Sequence, residues 1–124
     1  MRYPDSSLNQ LTHNVIGAAI DVHREVGTGY LESLYEEALC LELTERKIAH
    51  NRQKSFSVSY KGTPIGHGYI DVLVENVLIV ELKAVEKLIS VYKAQVISYL
   101  KATGLSLALL INFNVPVLKD GIER

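Results

Sequence analysis

Asp71, Glu81 and Lys83 are the residues whose types and spacing could do chemistry. Asp71 stands in Tyr69-Ile70-Asp71-Val72-Leu73-Val74 and Glu81 in Leu78-Ile79-Val80-Glu81-Leu82-Lys83, stretches made otherwise almost wholly of aliphatic residues. A lone carboxylate in such surroundings costs several kcal/mol unless it is paired or binds a cation. Side chains alternate along a strand, so Glu81 and Lys83 share a face. Asp71 joins them only if the hairpin register allows it. A two-residue turn at Glu75-Asn76 pairs Asp71 with Val80 and leaves Glu81 on the opposite face. A three-residue loop, Glu75 to Val77, sets Asp71 against Glu81 with the side chains ~5 Å apart. Asn76 tolerates the left-handed backbone such loops use, so the odd loop, or a bulge of the same effect, is expected. Two carboxylates at that spacing suit Mg2+ or Mn2+, since Mg2+ uses one or two carboxylates with waters and phosphate. Such an ion polarises a phosphoryl oxygen and neutralises developing charge. Lys83 would orient the attacking water or stabilise an oxyanion. The competing reading is a strand-end salt bridge from Lys83 to one carboxylate, because ion pairs also occur where no chemistry does.

The elements that must position these residues follow from periodicity. Leu8, Leu11, Val15, Ala18, Ala19, Val22 and Val26 recur at helical steps and predict a first helix over 8–26, with Ser6 or Ser7 as its cap and Gly27 at its end. A second helix is predicted over 31–47, with Leu31, Leu34, Tyr35, Ala38, Leu39 and Leu43 inward. Phe56, Val58 and Tyr60 alternate with serines as in a half-exposed strand, and Lys61-Gly62-Thr63-Pro64 makes the turn. Strands over 65–74 and 77–85 are apolar on both faces and belong to a sheet covered on both sides. A third helix over 90–103, closing at Gly104, leads to a last buried strand over 105–113 and a short polar tail. The order is an α/β αβββαβ core, a mixed sheet flanked by helices, preceded by an extra N-terminal helix.

Length and composition bound the rest. The 124 residues suffice for one domain, expected over 1–124, and 48% apolar with 22% charged is ordinary globular usage. No apolar run approaches ~18 residues, and the first ten residues have no apolar core, so neither a membrane span nor a secretory signal is expected. Cys40 is the single cysteine, which excludes an internal disulfide and a cysteine zinc cluster. Its Ala-Leu-Cys-Leu setting reads as a buried apolar thiol, and a cytoplasmic location is expected. The formal net charge of −1 is low for a protein gripping duplex nucleic acid through phosphates alone. Phosphate binding would need a local basic patch, a metal ion, or two patches joined by symmetry.

Several ordered motifs carry a family resemblance. Ala18 to Gly27 precedes Gly29-Tyr30-Leu31-Glu32-Ser33-Leu34-Tyr35, which spells GxxExxY, and Glu36-Glu37-Ala38-Leu39 follows. Then come Asp71 to Val74, Ile79 to Val85, Ala94-Gln95, Ser98 to Gly104 and Leu109-Leu110-Ile111-Asn112-Phe113. Together these resemble the GxxExxY protein family, a branch of the PD-(D/E)XK nuclease superfamily, over roughly residues 8–123. The resemblance implies a restriction-endonuclease-like core. It makes Asp71 the family's aspartate, Glu81-Leu82-Lys83 its ExK element and Glu32 the leading acidic residue, and it places Gln95, with Tyr99 one turn later, in the motif of the following helix. The chain departs at Tyr69, where a basic residue is expected, and at Thr28, where proline is expected. Glu32 and Tyr35 share a helix face, and Glu32 sits in the first turn, where the helix dipole favours a carboxylate.

The expected function is therefore Mg2+-dependent (or Mn2+-dependent) hydrolysis of a nucleic-acid phosphodiester. Asp71 and Glu81 bind the ion, the backbone carbonyl of Leu82 completes its inner shell, and Glu32 binds a second ion or an outer water. Lys83 assists the nucleophile, Gln95 positions it or the phosphate, and Tyr35 and Tyr99 support the site, although core packing with a polar tip suits at least one tyrosine. The rival is a binding or regulatory module that keeps the fold without turnover and works through a homodimer or a partner protein. Other candidates are weaker. His13, His23, His50 and His67 show no ligand spacing, although His67 lies near the start of the Asp71 strand. Ser55, Ser57 and Ser59 form one solvated strand face, and Gly62, Gly66 and Gly68 precede no helix that could cradle phosphate. Lys87, Lys93 and Lys101 make the best local basic patch, which in most proteins is plain soluble surface.

Overall fold

The computed structural model describes residues 5–124. Helix α1 (Asp5–Val26) and helix α2 (Glu32–Glu45) are followed by β1 (His50–Tyr60), β2 (Thr63–Val74) and β3 (Leu78–Lys83). Helix α3 (Ser90–Thr103), β4 (Leu107–Asn112), a 3-10 turn (Leu118–Gly121) and β5 (Ile122–Glu123) complete the chain. The sheet runs β1-β2-β3-β4-β5. β3 and β4 are parallel, joined across α3, and the other neighbours are antiparallel. This is the expected mixed sheet flanked by helices. No helix among the described residues is long and apolar enough to cross a membrane.

Both faces of the sheet are covered, which explains the aliphatic runs in β2 and β3. On one face Val15, Ala18 and Val22 of α1, with Tyr35, Leu39 and Leu43 of α2, pack on Val72, Val80, Leu82, Leu109 and Ile111. On the other, Val96 of α3 packs on Ile70, Leu73, Ile79, Ala108 and Leu110. Cys40 is buried as expected, and burial pushes its thiol up to about 11.

Three expectations change. Ser6 and Ser7 lie inside α1 rather than capping it, because the helix already includes Asp5. In α2 the inward stripe is Tyr35, Glu36, Leu39, Cys40 and Leu43, while Leu31 is 79% exposed and Leu34 is also outside. The helix begins only at Glu32, and Leu31, as the residue before it, is extended and points away. The polar tail is structured: Leu118 is buried and β5 pairs with β4. Gly27 (φ 77°) and Gly104 (φ 76°) close α1 and α3 in the left-handed conformation, where an L-residue would be strained.

Asn112 ties the end of β3 to β4. It pairs with Lys83 in the parallel register, is buried, and its amide Nδ2 donates to the Val85 carbonyl at 2.9 Å. Its Oδ1 accepts from the N–H groups of Val85 (3.0 Å) and Asn114 (3.2 Å). Asn112→Ala strands these backbone groups, so urea unfolding should show a loss of about 2–4 kcal/mol. A change within a few tenths would mean water replaces the amide.

Candidate metal centre

The β2–β3 loop is the odd one. Val74 pairs with Leu78, leaving Glu75, Asn76 and Val77 between them, and Glu75 (φ 50°) and Asn76 (φ 59°) take the left-handed turn. The same register, through Leu73–Ile79 and Val72–Val80, sets Asp71 opposite Glu81. At that point side chains replace the backbone ladder. The Asp71 N–H donates to Glu81 Oε1 at 2.8 Å, and the Leu82 N–H donates to Asp71 Oδ2 at 2.9 Å. Each carboxylate is thus fixed by the other strand's backbone.

Glu81 is 3% exposed. Burial, then the negative charge of Asp71, pushes its carboxyl up to about 8, against the lesser pull of the Asp71 N–H and the Lys83 ammonium. No arginine among the described residues forms a salt bridge to the pair: Arg46 is bound to Asp21 and Glu42, and Arg52 to Glu36 and Glu37. Among the same residues Lys83 makes no salt bridge. Its ammonium lies 4.8 Å over the Tyr92 ring, which disfavours the strand-end salt bridge.

Two residues not singled out from sequence reach the site. Gln53, the fourth residue of β1, has φ 48°, a left-handed backbone unusual for glutamine. Its Nε2 bonds both Asp71 Oδ1 (3.2 Å) and Glu36 Oε1 (2.7 Å). Around it the hairpin changes faces: Ile70 belongs to the cluster under α3, while Val72 belongs to the one under α1 and α2. Glu36 is buried, with Oε2 2.9 Å from Arg52 Nη2. Glu36 had a weak signal, since it lies one helical turn before buried Cys40. Gln53 had none, because nothing in its residue type announces a positive φ.

The other expected residues are dispersed. Glu32 is exposed and its carboxylate makes no hydrogen bond or salt bridge among the described residues. Gln95 is exposed on α3. Tyr99 lies nearer, edge-on to Phe56 with ring centroids 4.8 Å apart. Burial, and then the charges of Glu81 and Asp71, raise its hydroxyl pKa. Tyr35 is a core residue: its ring stacks on Phe113 at 4.6 Å and its hydroxyl donates to the Gly27 carbonyl at 2.6 Å. His67 is exposed, while His23 and His50 bond the carbonyls of Val115 and Ile48. In the expected basic patch, Lys93 is paired with Glu123 at 3.2 Å.

No group of three His, Cys, Asp or Glu among the described residues could hold a metal ion. Mg2+ does not require one. Asp71 and Glu81 offer hard oxygen donors, the Leu82 backbone lies beside them, and a divalent cation would relieve the repulsion that raises Glu81. The donor set fits.

A family model of the PD-(D/E)XK nuclease superfamily matches residues 9–124. The chain belongs to that superfamily. Comparison with curated proteins and with solved structures finds no match. The mixed sheet and its flanking helices form the restriction-endonuclease-like fold of a PD-(D/E)XK protein, with Asp71, Glu81 and Lys83 on its neighbouring strands β2 and β3.

Two outcomes follow for this PD-(D/E)XK chain. Because the folded state holds the Glu81 proton more tightly than the unfolded chain does, metal-free protein should lose stability as pH rises from the usual carboxylate range through about 8. Every ten-fold gain in proton affinity on folding is worth about 1.4 kcal/mol, so Glu81→Gln should flatten the curve and exceed the parent by a few kcal/mol at alkaline pH. Parallel curves in urea melts would refute the buried acid. At Gln53, Gln53→Ala should unfold more easily than Gln53→Gly by roughly 1 kcal/mol, since only glycine relieves the positive φ. Equal midpoints would show that no strain is stored there.

Proposed function

We propose that the protein is a metal-dependent nuclease hydrolysing a nucleic-acid phosphodiester, of the GxxExxY branch suggested by Gly29 to Tyr35, with 1–124 as one domain. The observation carrying this reading is the Asp71–Glu81 pair, set face to face by an odd loop, with no salt bridge to either carboxylate among the described residues. Asp71 and Glu81 would hold Mg2+ or Mn2+ with the Leu82 carbonyl. When bound, the ion supplies charge neutralisation at the phosphoryl oxygens.

The chain's own groups do the rest. Lys83, on the same strand as Glu81 and without a salt-bridge partner among the described residues, orients the nucleophile or stabilises the oxyanion. Glu36, through the Gln53 amide, holds Asp71 in place and takes the outer position that the motif had assigned to Glu32. Tyr99 closes the α3 side, and Gln95, one turn earlier and open to solvent, meets the phosphate. Release of the Glu81 proton accompanies metal binding, so affinity for the ion should rise with pH up to the range near 8.

The second reading, a non-catalytic binding module, is favoured by the outward positions of Glu32 and Gln95. Calorimetry with Mn2+ separates the two, because the nuclease binds the ion at millimolar concentration and Asp71→Asn abolishes that binding. With Mg2+ or Mn2+ the purified protein should cleave labelled nucleic acid, and Lys83→Ala should reduce the rate by roughly a hundred-fold or more. Undiminished cleavage by that variant would reject the assignment.

A further inference from the structure

Residues 46–70 contain five of the thirteen lysines and arginines and none of the fourteen aspartates and glutamates. Arg46 and Arg52 are spent on the helices, bound to Asp21, Glu42, Glu36 and Glu37. Beyond them extends a two-stranded arm, in which Lys54 to Tyr60 pairs with Thr63 to Ile70. One face of the arm meets α3, where Phe56 lies against Tyr99 and Ile70 joins the cluster around Val96. The alternate cross-strand pairs Ser55–Tyr69 and Ser57–His67 stand on the other face, and all four residues are exposed. Tyr69 is 55% exposed, and Tyr60 and Ile65, at 60% and 66%, stand near the tip. There the Lys61 ammonium lies 5.5 Å over the Tyr60 ring. Lys54, exposed on the edge strand and paired with Ile70 on the α3 face, and Lys61 at the tip make no salt bridge among the described residues.

We propose that this arm docks the substrate and that the substrate is single-stranded nucleic acid, with a base stacked on Tyr69 and the backbone running along the open β1 edge between Lys61 and Lys54. The proposal rests on the nuclease reading and names the form of its substrate. A surface of tyrosine, serine, lysine and histidine without a carboxylate complements a polyanion. Two such lysines neutralise too few phosphates to hold a duplex at physiological salt. Unpaired bases add about 1–3 kcal/mol each by stacking on aromatic rings, and those ring faces are hidden in a duplex. Tyr69 precedes Asp71 by two residues on β2, about 7 Å along the strand. With a base on Tyr69, a neighbouring phosphodiester reaches the carboxylate pair by passing round the sheet edge at Gln53, where the hairpin changes faces.

The test is fluorescence anisotropy in EDTA, which prevents turnover, using a short labelled oligothymidylate and a duplex of equal length at several salt concentrations. The single strand should bind more tightly. Tyr69→Ala should weaken binding roughly ten-fold, and Tyr69→Phe, which keeps the ring, should not. Lys54→Ala with Lys61→Ala should reduce the salt slope by roughly 1.4, while Lys119→Ala, on the 3-10 turn, changes nothing. Unchanged affinity in Tyr69→Ala, loss in Tyr69→Phe, tighter duplex binding, or no binding by the parent protein would each overturn the proposal. Because the substituted side chains are exposed, melting temperatures should stay with the parent's, so lost binding is not lost folding. If the parent cleaves with Mn2+ and the arm variants bind and cleave equally well, the arm falls and the nuclease stands. If the arm variants lose binding while no metal supports cleavage, the nuclease falls and the arm stands.

Discussion

Two carboxylates held together where β2 and β3 part company are the constraint on which the site depends. Left alone, Asp71 and Glu81 repel one another and resist burial, and the protein keeps them there with two reciprocal backbone hydrogen bonds. Those bonds hold the oxygens without discharging them. Arg46 and Arg52 are paired with other carboxylates, and Lys83 rests on an aromatic ring. With no such cation on the half-buried Asp71 or the buried Glu81, the pair is relieved by the proton that Glu81 retains up to about 8.

Precision at that point comes from features remote from the carboxylates. The odd loop decides which face Glu81 occupies, since a loop shorter by one residue would have turned it into the opposite layer. The inversion at Gln53 lets the outer hairpin lean on α3 while its inner half packs under α1 and α2. The amide of Asn112 stitches the chain just past Lys83 to β4, so the lysine leaves a backbone fixed on its far side. Sites whose supporting groups are locked in this way hold their geometry without relying on the ligand.

Much of this was legible in the residues. The element order, the two-sided burial of β2 and β3 and the odd loop followed from alternation, aliphatic runs and the turn tolerance of Asn76. The phase of α2 was harder, because Leu31, Leu34 and Leu41 put apolar residues on its outer side as well. Glu32 was singled out by the motif resemblance and not by the phase of the stripe, and the acid that the helix buries is Glu36. Gln53 was illegible for another reason: its role depends on a backbone angle that tertiary packing imposes, against the preference of its residue type. The structured tail was missed because two residues of strand and one turn of 3-10 helix are too short to show a period.

The left-handed backbone at Gln53 also bears on solubility. β1 is the sheet's open border, eleven residues long, and an uninterrupted border of that length invites another chain to zip onto it. A reversal at its fourth residue breaks the row of outward amides and carbonyls into stretches of three and seven residues that no straight incoming strand can match at once. The residue that steadies Asp71 on one side thus spoils the template on the other.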